Sequence, residues 1–419
     1  MKKVKLRKYA IKIGSGITPK GGESSYKAFG IPLIRSQNVL ENKLSLENVA
    51  FIDAAQHKKM SGSKVNPGDV LLNITGASIG RSCVVPQEVV EANVNQHVCV
   101  IRLKRDYYAP FLSSFLNSWF GQKQVFSFQG GGSREGLNYQ QIASFDIPSL
   151  QYSEQKTIAD LLSTWDEAIE KTTRLIQAKE KRFSQISKWL LFGHKRLRKQ
   201  KNELVKGLFY DYPSDWKLAK IGTVAQEITE RNGVSDATVL SCSKYEGFVN
   251  SLDYFGKQVF SSDISNYKVV KRGQFGYPSN HVEEGSIGLL EHCEIGIVSP
   301  IYIVFEASKE KVHSPYLYKL LKTDTYRHIF QVSTSSSVDR RGSLRWPDFS
   351  KIKVLLPPVD EQHQISDAIN AFQREIRLLR RLVEKYKTQK RGLMQKILTG
   401  QWRIKPEIVK KFSEDMHDG

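Results

Sequence analysis

Two stretches decide how this chain is read: "YSEQKTIADLL" at 152–162 and "VDEQHQISDAI" at 359–369. Glu154, Gln155, Ile158 and Asp160 recur as Glu361, Gln362, Ile365 and Asp367, each 207 residues later. Each stretch opens a long segment with few helix breakers: 154–192 holds no Gly or Pro, and 361–398 holds only Gly392. Ser153 and Asp360 stand in front as candidate N-caps, and Gly193 and Gly400 follow as helix stops. A short apolar run with proline leads into each, "FDIPSL" and "KVLLPPV".

The apolar spacing is that of a coiled coil. Steps of four and three from Ile158 meet Leu162, Trp165, Ile169, Thr172, Ile176, Lys179, Phe183, Ile186 and Leu190. The same steps from Ile365 meet Ile369, Phe372, Ile376, Leu379, Val383, Tyr386, Lys390, Leu393 and Ile397. A 3.5-residue repeat sustained this long makes a seam that needs a helical partner, and each segment is the natural partner of the other. At 1.5 Å per residue, each helix is about 55–60 Å long.

The repeat continues upstream of the helices. Arg134, Leu137 and Ile142 match Arg341, Leu344 and Phe349, while "PGDVLLN" (67–73) resembles "RGQFGYP" (272–278) and "ASIG" (77–80) resembles "GSIG" (285–288). The chain therefore reads as a tandem duplication of globular unit and long helix. Strand-like runs ("DVLLNI", "HVCVIRL", "QFGYP", "IGIVSPIYIVFEA") and amphipathic helices ("APFLSSFLNSWFGQKQVF", "SPYLYKLLKTDTYRHIF") give each unit a mixed α/β character. The expected fold is α+β: two such domains separated by two long helices pairing as an antiparallel coiled coil, with internal pseudo-twofold symmetry. The expected boundaries are 1–150 and 207–358 for the domains, 151–206 and 359–400 for the helical spacers with the first linker, and 401–419 for a C-terminal tail. In that tail Trp402 and Ile404 are candidates to dock back.

Composition narrows the function. The chain has 63 Lys+Arg against 43 Asp+Glu, a formal charge of +20, which favours a polyanionic partner and nucleic acid first. Its four cysteines form no C-x-x-C pair, which fits free thiols in a reducing compartment. The basic start lacks the apolar core of a signal peptide, and no run reaches the roughly 20 apolar residues of a membrane span. A cytoplasmic protein with no membrane partner is expected.

Enzyme signatures are missing: no phosphate-binding G-x-x-x-x-G-K-[ST], no zinc-hydrolase H-E-x-x-H, no G-x-S-x-G elbow, no clustered metal ligands and no methyltransferase motif. "GSGITP" lacks the third glycine and βαβ context of a dinucleotide loop, and His97 lies in a strand-like run that suits a structural side chain. We expect no catalytic and no metal-binding residues. Loops mixing cations, amides, glycines and aromatics instead suit nucleic acid, because cations neutralise phosphates and amides read base edges. The candidates are Lys20, Arg35, Gln37, Asn38, Thr75, Arg81 and Arg134 in the first unit, and Lys244, Tyr245, Asn280, His281, Arg340, Arg341 and Arg345 in the second. The basic linker "HKRLRKQK" (194–201) reads as a solvated connection, or as a contact to a DNA phosphate or a partner. At the helix entries, Glu154, Gln155, Glu361 and Gln362 are expected to be exposed off the seam. They are candidates either for meeting a partner protein or for serving the first helical turn.

With these features in hand, the whole chain resembles the specificity subunit of Type I restriction-modification systems. The resemblance rests on the two "EQ…I…D" helix entries after proline-bearing strands, the two long helices and the "PGD…SIG" order within each unit. It implies a non-catalytic subunit with two target recognition domains, each reading half of a split double-stranded DNA site, and helices that set the gap. It also implies partners: two methyltransferase subunits carrying S-adenosylmethionine and methylating adenine, and motor-nuclease subunits using ATP and magnesium. No cofactor is then expected on this chain. Two other classes remain on the residues alone: a self-contained DNA methyltransferase or nuclease with an unrecognised site, and a coiled-coil protein scaffold.

Overall fold

The computed structural model describes residues 2–129, 136–197, 203–207, 211–233, 237–335 and 343–403. The chain divides into two compact units, Met1–Arg174 with Arg380–Gly419, and Leu175–Leu379. Both contain sheet and helix, and each includes half of each long helix.

In the first unit, strand Lys3–Lys5 pairs antiparallel with Asp146–Pro148. Ala10–Ser15, Val98–Leu103, Val70–Asn73 and Ser82–Val84 form an antiparallel sheet in that order. A second sheet runs Ala50–Ile52, Ile31–Ile34, Ala92–Val94, Lys64–Val65, with its two middle strands parallel. The second unit repeats the first of these plans. Lys217–Lys220 pairs with Lys353–Leu356, and Ala225–Ile228, Tyr302–Ala307, Phe275–Pro278 and Gly288–Leu289 form a sheet in the same relative order. It adds two antiparallel pairs, Leu240–Ser243 with Gly247–Asn250 and Lys268–Lys271 with Ile295–Val298.

The turn into the strand of "PGDVLLN" is built like that into the strand of "RGQFGYP". Gly68 and Gly273 both take φ of 85°. The Asp69 carboxylate accepts the Asn66 N–H at 2.7 Å, and the Gln274 amide oxygen accepts the Lys271 N–H at 2.8 Å.

Each run expected to be one amphipathic helix is two. The first divides into Ala109–Asn117 and Trp119–Gln129, and the second into Ser314–Leu321 and Asp324–Ser335. In the first, Ser118 is extended (ψ 163°) and its hydroxyl donates to the Phe115 carbonyl at 2.6 Å. Gly121 then packs onto the previous helix so closely that a Cβ there would lie 2.3 Å from the Leu116 carbonyl oxygen. Periodicity cannot register such a break, because the apolar stripe resumes on its far side.

The long helices run Tyr152–Leu191 and Val359–Leu398, 40 residues each. Each begins one residue ahead of its expected cap, so Ser153 and Asp360 lie in the first turn. Every seam residue from Ile158 to Leu190 and from Ile365 to Ile397 is buried or half-buried. The pairing is antiparallel within both units: Trp165 meets Tyr386 edge-on at 5.7 Å in the first, and Phe183 meets Phe372 at 6.4 Å in the second. The two seam lysines are also paired across the helices, Lys179 with Glu375 at 2.8 Å and Lys390 with Asp166.

The helix ends belong to the domain cores. Ile158 and Leu162, with Ile397 and Leu398, pack among Phe111, Phe115, Phe145 and Ile147 in the first unit. Ile365 and Ile369, with Leu190 and Leu191, pack among Tyr316, Phe349 and Val354 in the second. Burying four large aliphatics at about 1.5–3 kcal/mol each anchors these ends far more strongly than helix propensity does. All four cysteines are free, and among the described residues no helix is long and apolar enough to cross a membrane.

Candidate nucleic-acid interface

Thr75 and Arg81 in the first unit, and Asn280 and His281 in the second, lie on loops that leave the same strand of the four-stranded sheet. In the first the loop follows Val70–Asn73, and in the second Phe275–Pro278. Each is anchored alike: the Leu137 N–H donates to the Ile74 carbonyl at 2.9 Å, and the Leu344 N–H to the Ser279 carbonyl at 2.7 Å.

In the first unit, Asn73 organises the surface. Fully buried, it donates through Nδ2 to the Ser36 carbonyl (2.8 Å) and the Ser78 hydroxyl (3.0 Å), joining two candidate loops. Gln37 and Arg81 are exposed on them. Thr75 bonds His97 Nδ1 at 2.6 Å and bridges Gly136, so the 75 loop, His97 and the segment beside Arg134 come together. Arg134 itself lies outside the described residues. Lys20 is exposed on the loop that also supplies Glu23. Arg35 is held by Glu23 at 3.2 Å and lies 5.3 Å from the Tyr26 ring centroid, with its side chain 17% exposed.

Asn38 departs from the expectation of a free reading amide. It is buried, donates to the Ser45 carbonyl at 3.0 Å and accepts the Arg35 N–H at 3.0 Å. A side-chain amide answers backbone groups of a tight turn as well as it answers a base, so its type alone does not separate the two roles.

In the second unit, Lys244 and Tyr245 occupy the tip of the Leu240–Asn250 hairpin. The Ser243 hydroxyl accepts the N–H groups of Tyr245 (3.3 Å) and Glu246 (3.4 Å). Lys322, whose pKa is lowered chiefly by burial, donates to the carbonyls of Lys244 (2.5 Å) and Gly285 (2.9 Å), tying the hairpin to the 279–287 loop. The Tyr245 ring is 81% exposed, with the Lys244 ammonium 5.5 Å from its centroid. Beside the hairpin, Asn280, His281, Ser241, Cys242, Glu284 and Tyr302 line a cavity of about 390 Å³. Arg345 is exposed at the start of the short helix Trp346–Phe349, while Arg340 and Arg341 lie outside the described residues.

Among the described residues, one group has the donor set of a cation site. His281, Glu283 and Glu284 place ligand atoms within 4.8 Å of one another. His281 and Glu284 are exposed and pair with each other at 3.3 Å.

The helix-entry residues are not arranged as expected. Gln155, Glu361 and Gln362 are fully buried, and Glu154 is half-buried. The Gln155 oxygen accepts the Tyr108 N–H at 2.8 Å, and its nitrogen donates to the Leu150 carbonyl at 2.9 Å. Gln362 repeats this, accepting from the His313 N–H at 2.8 Å and donating to Lys311 (3.1 Å) and Pro357 (2.9 Å). Tyr108 and His313 are the N-cap residues of Ala109–Asn117 and Ser314–Leu321. The repeated glutamine thus welds each long helix to the N-terminus of Ala109–Asn117 or Ser314–Leu321 in its own unit.

Glu361 accepts two bonds from Arg196, both at 2.7 Å. Arg196 also meets Asp215 at 2.9 and 3.0 Å, and its side chain is 3% exposed. Hydrogen bonding to Glu361 raises the Arg196 pKa, and the reciprocal bond to Arg196 lowers that of Asp215. The "HKRLRKQK" linker is therefore buried at Arg196, where a solvated connection was expected.

Sequence reading missed Asn73, Ser243, Lys322 and Arg196. Of these, Arg196 carried a usable signal: it stands three residues past Gly193, as Arg403 stands three past Gly400.

A family model for the type I restriction modification DNA specificity domain matches residues 11–180 and 243–386. The type I restriction enzyme EcoKI specificity subunit of Escherichia coli K12 is 22% identical over 408 residues, covering 90% of this chain and 85% of that protein. The MjaVIII specificity subunit of Methanocaldococcus jannaschii is 23% identical over 361 residues, covering 81% and 80%. The crystal structure of the HsdS subunit from Thermoanaerobacter tengcongensis shares the fold, with a TM-score of 0.54 at 16% identity over 96% of this chain and 97% of that one.

Proposed function

This chain belongs to the type I restriction-modification DNA specificity family, and from that premise we propose how it divides the work of recognition. It serves as a DNA specificity subunit. Each unit reads one half of a bipartite, asymmetric site in double-stranded DNA, and the paired 40-residue helices set the unread gap. The carrying observation is that the two units share sheet order and loop anchors while their loops differ. Thr75 and His97 stand in one, and Asn280, His281 and the Tyr245 hairpin in the other. A common scaffold with different reading groups suits two different half-sites.

In this reading the chain performs no catalysis. Two methyltransferase subunits dock on it in pseudo-equivalent ways, bind S-adenosylmethionine and methylate adenine, and motor-nuclease subunits supply ATP- and magnesium-dependent cleavage. Its place is the cytoplasm, with the DNA.

Exchanging residues 1–150 for the first domain of another family member is the test. Methylome sequencing of a host expressing the chimera with its methyltransferase is expected to show one half-site changed and the other half-site and gap kept. Two altered halves, or an altered gap, overturn the reading.

A further inference from the structure

Both long helices leave their last turn in the same way. Gly193 and Gly400 take φ of 74° and 77°. Two residues on, the N–H groups of Lys195 and Trp402 fold back to the carbonyls of Trp189 and Lys396 at 3.2 and 3.0 Å. These positions are 207 apart, so the next residues, Arg196 and Arg403, are equivalent. Their acids are equivalent too, since Glu361 stands 207 residues after Glu154.

In the second unit this arginine and this acid meet in the buried pair described above. In the first unit, Glu154 and Arg403 lie on the same kind of frame: Ile158 and Leu162 pack with Ile397 and Leu398, as Ile365 and Ile369 pack with Leu190 and Leu191. Yet Glu154 is half-buried with no ion pair among the described residues, and Arg403 is exposed. The frame that presents Arg196 to Glu361 is present, and the contact is open.

We propose that the surface around Glu154 is the docking site of this chain's own C-terminal segment, entered through an Arg403–Glu154 ion pair that mirrors Arg196–Glu361. The occupant is tethered to its site. Residues 404–419 continue directly from Arg403, and the second long helix that delivers Arg403 is already packed in the same unit. A tethered contact needs little intrinsic affinity, because the local concentration of the segment is high. The charges are complementary, and a bidentate arginine–carboxylate fork supplies direction as well as attraction.

The test uses the full-length protein. Trypsin cuts after Arg403, and docking slows that cut by lowering the population of the undocked segment. Glu154→Gln is expected to speed release of the C-terminal peptide about threefold to fivefold, read by mass spectrometry, while Glu361→Gln leaves that rate unchanged. As a second measurement, Glu154→Gln and Arg403→Gln are each expected to lower the melting temperature by about 1–3 °C. The double substitution goes no lower than either single, and the charge swap E154R/R403E restores the original value. An unchanged cleavage rate in Glu154→Gln, or thermal losses that simply add, overturns the proposal.

Discussion

Replacing Gln362 with alanine asks whether the repeated helix-entry glutamine holds the domain together or serves a docking face. The side chain is fully buried and makes three hydrogen bonds, one accepted from His313 and two donated to Lys311 and Pro357. Truncation leaves one backbone N–H and two carbonyls without partners inside the protein. At about 1 kcal/mol per bond the loss is about 3 kcal/mol, and more where water cannot enter the space. For a unit of this size that corresponds to a fall of about 6–12 °C in melting temperature. Gln155→Ala removes two bonds from the first unit, so its loss is about 2 kcal/mol and about 4–8 °C. Gln362→Glu keeps the size and the acceptor but loses both donors and sets a carboxylate against two carbonyls. It is expected to be at least as damaging as alanine. Calorimetry of the full chain, with subunit assembly measured in parallel below the transition, reads all three. Unchanged melting with lost assembly in Gln362→Ala would refute the reasoning, since it would make the glutamine a contact residue after all.

Four further outcomes follow from the geometry. Glu361→Ala removes the buried carboxylate that takes two bonds from Arg196 and is expected to cost about 3 kcal/mol, read by urea denaturation. Burial first, then the neighbouring His363, lowers the His313 pKa, against the opposing pull of Asp367. The fold therefore favours the neutral ring: its contribution is complete above the unfolded value near 6.5 and is lost as pH falls through the lower folded value. The second unit should lose stability as pH falls below about 6.5, and His363→Gln should flatten that slope in a melting series. Burial pushes the thiols of Cys83, Cys99 and Cys242 up to about 12, so a thiol reagent at pH 8 should modify the shallower Cys293 first. Gly121→Ala drives a methyl into the Leu116 and Phe115 carbonyl oxygens, 2.3 and 2.5 Å away, and is expected to cost about 2 kcal/mol or more, read by denaturation.

The long helices and their partnership were legible in the sequence because both facts are periodic. A 3.5-residue apolar stripe repeated at an offset of 207 specifies a seam and its mate, and even the lysines that interrupt it find acids on the opposite helix. Short runs rich in Val, Leu and Ile were legible as strands by their length and composition rather than by a period. The roles of single polar residues were not. Gln155 and Gln362 recur with the helices, and recurrence marks a shared job without saying whether that job faces water or core.

Only the tertiary structure gave Asn38, Asn73, Arg196 and Lys322 their partners, because the role of an amide or cation is defined by the carbonyls and carboxylates that surround it. Those partners come from elsewhere in the chain: Ser36 for Asn73, Glu361 for Arg196, and Lys244 for Lys322. Periodicity is written along one strand of sequence, whereas hydrogen-bond satisfaction depends on what folding brings together.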